Sequence, residues 1–359
     1  MNLIFKWIED LNSFKSIKKK WNDLNKLTRG SIFLSHEWFD SALHWLDEKE
    51  IKILCLYDNQ DLIGILPLTL SKEKKGYTIY YLQSMHIPDT QEFDIIAHPK
   101  IDKKKLVELF FSEIKKSHFK WHYYQLKHLQ KNSILTQVLS KQEKNYHSIL
   151  EKSLHPLVRM QPSWKKYYYT LSSKLRKSNR GIANKIIANN HLDLIKITNT
   201  KDKKHLNILE DIALNSWKTK TKNSLNTEGP RQFIENLLHN MPENKIVIWL
   251  LKFNHDYIAY ELQLNHYNQI YALRSDFKET YRHLSPGTYL NWKVIESLHK
   301  EKFKKYYMGP GLNSYKLKWC NEKVKILEII GFNLNPMGLT LSTFYKIKLT
   351  IKYYKKKWF

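Results

Sequence analysis

The sequence predicts an α+β protein made of two copies of one unit. Three observations carry that expectation. Apolar runs of strand length alternate with segments of helical spacing along the chain. Hydrophobic residues make up 42% and aromatic residues 13% of the 359, enough for two sizeable cores and too many for a disordered chain. Two hairpins also align without a gap: Ile51 meets Ile246, Asn59 meets Asn254, Asp61 meets Asp256, and Ile63-Gly64 meets Ile258-Ala259. Pro156 and Pro162 mark a boundary within 150–163, so the units are expected at 1–155 and 156–359.

Taken in order, residues 1–50 read as helical, through Phe5, Trp7, Ile8 and Leu11, then Trp21, Leu24 and Leu27. Ser35 then caps a helix carrying Trp38, Phe39, Ala42, Leu43 and Leu46. The runs 51–57 and 62–70, around the turn 58–61, make the first hairpin. Strands at 77–82 and around 93–96, a helix over 103–116 and a strand at 123–126 complete the first unit. The second opens on Trp164, Tyr167, Tyr168 and Tyr169, a basic helix and a strand at 192–197. Asp202 caps a helix running to Lys218, with Leu206, Leu209, Ile212 and Ala213 on one face. A polar loop at 219–229 and a helix at 232–240 lead to the second hairpin. The alternating run 263–273 reads as a strand bent by a turn near Asn268. Further strands are expected at 304–308 and 323–330. In the tail, Tyr345, Ile347, Leu349 and Ile351 alternate with Lys346, Lys348 and Lys352, which reads as a strand whose lysines guard an edge.

The formal net charge is +26, a value that by itself points to nucleic acid or an anionic surface. Only seven of the 60 basic residues are arginine, however, and the lysines spread over the whole chain. Phosphate and base readers favour the arginine fork, so nucleic-acid binding is not expected as the main function. Cys55 and Cys320 stand far apart and make no disulfide framework, which fits a reducing compartment. No secretory h-region and no run of about 18 apolar residues is present, so the expected location is cytoplasmic, peripheral to the inner membrane at most. The closing KKKWF is the segment expected to make any such peripheral contact.

The chain is organised around residues 275–290, SDFKETYRHLSPGTYL. Ser285 reads as an N-cap, and Pro286 suits the first helical position, where its missing N–H is not needed. A strand feeding such a helix start, with Gly287 letting backbone approach a ligand, makes an anion site from first-turn N–H groups and the positive dipole end. The same residues also simply start a helix.

These residues carry a resemblance. Tyr168–Arg180 (YYTLSSKLRKSNR), Ser216-Trp217-Lys218, Ile258-Ala259, Ser275-Asp276-Phe277, Tyr281, Leu284-Ser285-Pro286-Gly287, Gly309-Pro310-Gly311, and Tyr315-Lys316 with Trp319 resemble the CelD-like acetyltransferases of the GNAT superfamily, bacterial proteins of tandem GNAT-type units. Phe33-Leu34-Ser35-His36-Glu37-Trp38 and Ile65-Leu66-Pro67-Leu68 look like that family's N-terminal half. The resemblance implies two GNAT-like units, each a mixed, mostly antiparallel sheet flanked by helices. It also implies an acetyl-CoA or other acyl-CoA donor and N-acyl transfer. Tyr281, Arg282, Ser285, Pro286, Gly287 and Thr288 would then bind the donor. The usual pyrophosphate loop is Gln/Arg-x-x-Gly-x-Gly/Ala, of which 282–287 keeps Arg282 and Gly287 only. The architecture is also similar to the FemAB peptidyltransferases, which use aminoacyl-tRNA.

Acyl transfer to an amine needs the amine deprotonated, donors for the developing oxyanion and a proton for the leaving thiolate. No Ser/His/Asp or Cys/His signature stands out, so direct attack is expected. Asp276, placed just past a strand, is the first candidate to orient or deprotonate the amine; it also reads as a turn residue. Glu261, sharing a strand face with Gln263 and Asn265, is a second candidate base, or an exposed hairpin glutamate. By the resemblance, Tyr315 lies where a GNAT tyrosine protonates the thiolate, with Lys316 beside it. Trp217 and Lys218 are expected at the acceptor cleft, although tryptophan in a helix is more often core. Arg176 and Arg180, with Lys174 and Lys177, make the basic helix suited to an acidic acceptor or a nucleotide phosphate, or only a solvated face. His118 and His122 are an H-x-x-x-H pair without the zinc-protease glutamate, and no metal is expected.

Three functions follow. The first is N-acyl transfer from acyl-CoA to an amine on a small molecule, an amino sugar or a cell-envelope or polysaccharide-linked group. The second is aminoacyl transfer from tRNA, and the third a non-catalytic scaffold on a membrane surface or nucleic acid. The first unit has no S-P-G equivalent and is expected to be non-catalytic.

Overall fold

The computed structural model describes residues 2–46, 50–141, 147–187 and 192–358. In chain order the strands and helices are β1 (Leu3–Ile8), α1 (Leu11–Ser16), α2 (Lys18–Leu27), α3 (His36–Ala42), β2 (Glu50–Asp58), β3 (Asp61–Lys75), β4 (Tyr77–Ser84) and β5 (Ile96–Ala97). Then come α4 (Lys103–Lys115), β6 (Tyr123–Gln130), α5 (Ile134–Leu139), β7 (His147–Arg159), α6 (Trp164–Thr170), α7 (Ser173–Ile187), β8 (Leu192–Ile197) and α8 (Lys203–Leu214). The remainder are α9 (Glu228–Asn240), β9 (Ile246–Phe253), β10 (Asp256–His266), β11 (Gln269–Phe277), α10 (Pro286–Lys300), β12 (Lys305–Tyr307), α11 (Ser314–Leu317), β13 (Glu322–Phe332) and α12 (Pro336–Trp358).

The chain forms two compact units, each α+β. The expected cut between residues 155 and 156 lies inside β7, and the units draw on separated stretches. Unit 1 takes Met1–Phe39, Leu46–Lys152 and Lys325–Phe359; unit 2 takes Asp40–Trp45 and Ser153–Val324.

In unit 1 the strand order is β1-β2-β3-β4-β6-β13. All pairs are antiparallel except β4–β6, which is parallel over Tyr81↔Tyr123 to Gln83↔Gln125. Gly64 in β3 lets α4 pack close, since a Cβ there would sit 2.9 Å from Leu106 and 3.0 Å from Phe110. The expected helix at the start is instead β1. Its exposure alternates along Leu3–Ile8, and Leu3↔Asp58 to Ile8↔Ile53 pair it with β2. A period of two with an available partner outweighs the looser helical spacing. Around 93–96 only Ile96 is in a strand, paired with Ile65.

Unit 2 repeats the plan as β8-β9-β10-β11-β12-β7, antiparallel except for β11–β12. At both parallel pairs a tyrosine stacks on a tyrosine: Tyr81 on Tyr123 at 4.8 Å in unit 1, Tyr271 on Tyr307 at 4.6 Å in unit 2. Asp202 caps α8 as expected, its carboxylate accepting from the Lys204 N–H at 2.9 Å. The helix ends at Leu214, and residues Trp217–Lys220 form a separate 3-10 turn. The core of unit 2 packs Val294, Ile295 and Leu298 of α10 with Val247, Leu251 and Ile258 of the sheet and with Trp319.

The tail also departs from the expected strand. Residues Pro336–Trp358 form a helix, α12, capped by Asn335, whose side-chain oxygen accepts the Gly338 N–H at 2.8 Å. Pro336 at its first position needs no acceptor for an N–H.

Candidate functional site

The parallel pairing of β11 with β12 covers only Gln269↔Lys305, Ile270↔Tyr306 and Tyr271↔Tyr307. Beyond it β11 continues to Phe277, while the other chain leaves through Gly309 and Gly311, both at positive φ. Glycine tolerates that backbone, and with the pairing ended at Tyr271↔Tyr307 the two strands part in a wedge. β10 lines the wedge through Tyr260 and Glu261, whose register partners on β11 are Asp276 and Ser275.

Glu261 is the centre. It is 4% exposed, which overturns its reading as a solvent-facing hairpin glutamate. Its Oε1 accepts from Tyr306 Oη at 2.6 Å and from Gln263 Nε2 at 2.6 Å, and Gln263 Oε1 accepts from Trp249 Nε1 at 3.0 Å. Among the described residues no hydrogen bond is made to Oε2. Burial raises the Glu261 carboxyl above the ordinary range, opposed by the bonds from Tyr306 and Gln263 and by Lys316. Tyr306 is pushed well above the usual phenol value, first by burial and then by the Glu261 charge.

Lys316 in α11 is the complementary group. Burial pulls its ammonium down to about 8, with Glu261 opposing and Lys218 reinforcing the shift, and Nζ donates to the Pro310 carbonyl at 2.7 Å. His155 is drawn down to about 4 by burial and by Lys316, so it is neutral at neutral pH. The Tyr315 hydroxyl is pushed up to about 12 by burial of the group, with the Glu261 and Asp276 charges adding and a bond from Ser275 opposing. The residue as a whole is nonetheless 42% exposed.

Asp276 lies within β11 rather than after it. Its Oδ1 is 3.0 Å from Lys218 Nζ, and its Oδ2 accepts from Tyr260 Oη at 3.4 Å. Lys218 also donates to the Ser275 carbonyl. Trp217, next to it, is 59% exposed rather than core. The fold thus gathers Glu261, Asp276, Tyr315, Lys316 and Lys218 at one wedge.

The donor loop departs from expectation. Residues Glu279–Leu284 form a 3-10 helix, and Ser285 adopts the left-handed conformation at φ 54° with no side-chain cap bond. Its carbonyl instead accepts the N–H groups of Thr288 and Tyr289, while its own N–H goes to Arg282. Pro286 has no N–H, which leaves Gly287 as the first-turn donor without an intrahelical acceptor. A Cβ at Gly287 would stand 3.3 Å from Phe277, a tight approach that the Phe277 ring would have to yield to by a few tenths of an ångström. Tyr281 packs edge-on to Phe253 at 5.9 Å, and burial with the Asp256 charge raises its hydroxyl. Arg282 is exposed and pairs with Glu279 at 3.6 Å. Arg176 and Arg180 are on α7, which packs against α10 and the 3-10 segment. Arg176 lies over Tyr169 at 5.3 Å, and Arg180 is exposed. His118 faces Glu9 while His122 Nδ1 accepts the Tyr80 N–H, so the two rings serve separate partners.

Sequence reasoning passed over Tyr306 and His155. Both sit in strands where an aromatic or a histidine is ordinary core, and no local pattern sets Tyr306 apart from the likewise buried Tyr307 beside it.

Residues 176–317 match the family model described as an acetyltransferase (GNAT) domain. No curated protein matches the chain in sequence. Among solved structures it is similar to a conserved protein of unknown function from Bacteroides thetaiotaomicron VPI-5482, at TM-score 0.60 and 11% identity over 92% of this chain and 100% of that one. It is also similar to FemX, at TM-score 0.58 and 10% identity over 92% of this chain and 98% of that one. At such identities the likeness is one of fold. Residues 176–317, which hold the wedge and its carboxylates, are thus a GNAT-type acyltransferase domain, and the chain that carries it is an acyltransferase.

Proposed function

We propose that unit 2 transfers an acyl group from acyl-CoA to an amine, carried on a small molecule, an amino sugar or a polysaccharide-linked group. The observation that supports this reading most is the gathering of Glu261, Tyr306, Lys316, Asp276 and Lys218 where β11 outruns β12. The residues suit such a donor: the start of α10 offers the Gly287 N–H and a positive dipole end, flanked by Arg282 and by the basic helix α7.

The thioester supplies an activated carbonyl and a thiolate leaving group. The amine nitrogen forms the new C–N bond as the C–S bond breaks; one proton leaves nitrogen and one reaches sulfur. Asp276, held by Lys218 and Tyr260, takes the nitrogen proton. Lys316, charged below about pH 8, stabilises the developing oxyanion, and Glu261 keeps that charge tolerable in the interior. Tyr315, protonated up to about pH 12, donates to the thiolate. Trp217 offers the acceptor a flat apolar face beside Lys218. Unit 1 is assigned a non-catalytic role.

A second reading, aminoacyl transfer from tRNA, is favoured by one observation: the loop before α10 spends most of its amides on itself. Calorimetric titration with acetyl-CoA and a longer acyl-CoA, on the protein and on Gly287→Glu, separates the two. Saturable binding lost in the variant supports the acyl-CoA reading. If neither thioester binds while charged tRNA binds with a steep salt dependence, the second reading replaces it.

A further inference from the structure

The helix at the C-terminal end of the described chain carries two apolar faces, and unit 1 uses one of them. On the inner side of α12, Tyr345 packs against Phe332 at 5.5 Å, and Leu341 and Leu349 are half-buried. Gly338 lets the helix sit down at its first turn, because a Cβ there would lie 2.2 Å from the Asn333 carbonyl and 2.7 Å from that of His122. The opposite side is different. Phe344, Ile347 and Ile351 are 63%, 51% and 52% exposed, and together with Thr340 they fall within an arc of about 60° at 3.6 residues per turn. Three large hydrophobics in one stripe on water are more than scattered surface residues require.

The charge beside the stripe is one-sided. From Ile329 to the end the sequence has no Asp or Glu, although the chain has 34 of them, and it has six lysines: Lys346, Lys348, Lys352, Lys355, Lys356 and Lys357. Lys346 and Lys348 are exposed on either side of the apolar arc. Lysine is abundant throughout this protein, so the telling feature is the missing acid. A partner for this face must take apolar side chains to a shallow depth and carry negative charge around them. Among the described residues no helix is long and apolar enough to cross a membrane.

We propose that the outer face of α12 docks on the surface of an anionic lipid bilayer. Phe344, Ile347 and Ile351 enter the boundary between headgroups and acyl chains, and the flanking lysines lay their stems along it with the ammonium groups among the phosphates. The helix lies in the plane of the interface. This does not depend on the chemistry assigned to unit 2.

The test is co-sedimentation of the full chain with vesicles of phosphatidylcholine alone and of phosphatidylcholine mixed with phosphatidylglycerol. Binding is expected to the mixed vesicles, weakened by added salt, and not to the neutral ones. Phe344→Glu/Ile347→Glu/Ile351→Glu changes only exposed positions and should weaken binding by at least about tenfold, as loss of the inserted apolar area requires. Lys346→Glu/Lys348→Glu should weaken it and flatten the salt dependence. Unchanged thermal melting of each variant shows that the fold is kept. Failure to bind phosphatidylglycerol vesicles at physiological salt overturns the proposal, as does binding that survives the triple variant. A dimer in sedimentation equilibrium that the triple variant dissolves overturns it too, because a second copy would then cover the face.

Discussion

Lys316 holds a charge where burial opposes one, and its neighbours decide what that costs. Its ammonium titrates at about 8 instead of the ordinary 10.5, so between those values the unfolded chain binds the extra proton and the native chain does not. Stability therefore rises with pH across that window, and the penalty is fully present below pH 8. Lys316→Met should remove about 3 kcal/mol of that pH-dependent difference, measured by chemical denaturation at both ends of the window. Parallel pH dependences in the two proteins would show that the lysine is not desolvated. In activity, the inflection near pH 8 should vanish in the same variant. Asp276→Asn should lower kcat by roughly 10²–10⁴-fold, the range of general-base contributions, with the KM for acyl-CoA unchanged. A change confined to KM would make Asp276 a binding residue.

The same pair of elements performs different work in the two units. In each, a hairpin feeds a strand that pairs in parallel with a later one, with a helix between them. In unit 1 the position matching Ala259 is Gly64, and α4 sits directly on it. Gly64→Val should therefore cost ~1–3 kcal/mol by overpacking, read as a lowered Tm. A Tm equal to that of the parent would mean that Leu106 and Phe110 move aside freely. In unit 2 the corresponding helix, α10, begins after a left-handed Ser285 and offers few free amides. Gly287→Glu places a carboxylate at the positive end of that helix. It should abolish acyl-CoA binding in calorimetry with at most a small drop in Tm, since only the Phe277 ring has to yield, by a few tenths of an ångström.

At the scale of the whole molecule, a net charge of +26 stores self-repulsion that salt relieves. Raising ionic strength from ~0.01 to ~0.15 M shortens the screening length from about 30 to about 8 Å and should raise Tm. A Tm independent of salt would mean that the lysines are matched locally by carboxylates. Ion pairs such as Lys278 with Asp211 and Asp256, at 2.6 and 2.7 Å, do this for individual lysines, but acids are too few to serve them all.

The amino-acid sequence by itself determined the elements whose signal is local. The second hairpin, the Asp202 cap, the strand Leu192–Ile197 and the helix start at Pro286 were legible because alternation, capping and fixed φ act within a few residues. The gapless alignment of Ile51–Gly64 with Ile246–Ala259 also made the repeated unit visible. Tertiary structure decided what depends on distant partners. β1 is a strand because β2 lies open beside it, and the tail is a helix, which turns Tyr345 inward and leaves Ile347 and Ile351 outside. Glu261 meets Tyr306, 45 residues away, only because β11 and β12 pair in parallel for three residues and then part. The shifts of Glu261 and Lys316 come from that closure, since a titration depends on the water excluded and the charges brought near, and neither is encoded by spacing along the chain.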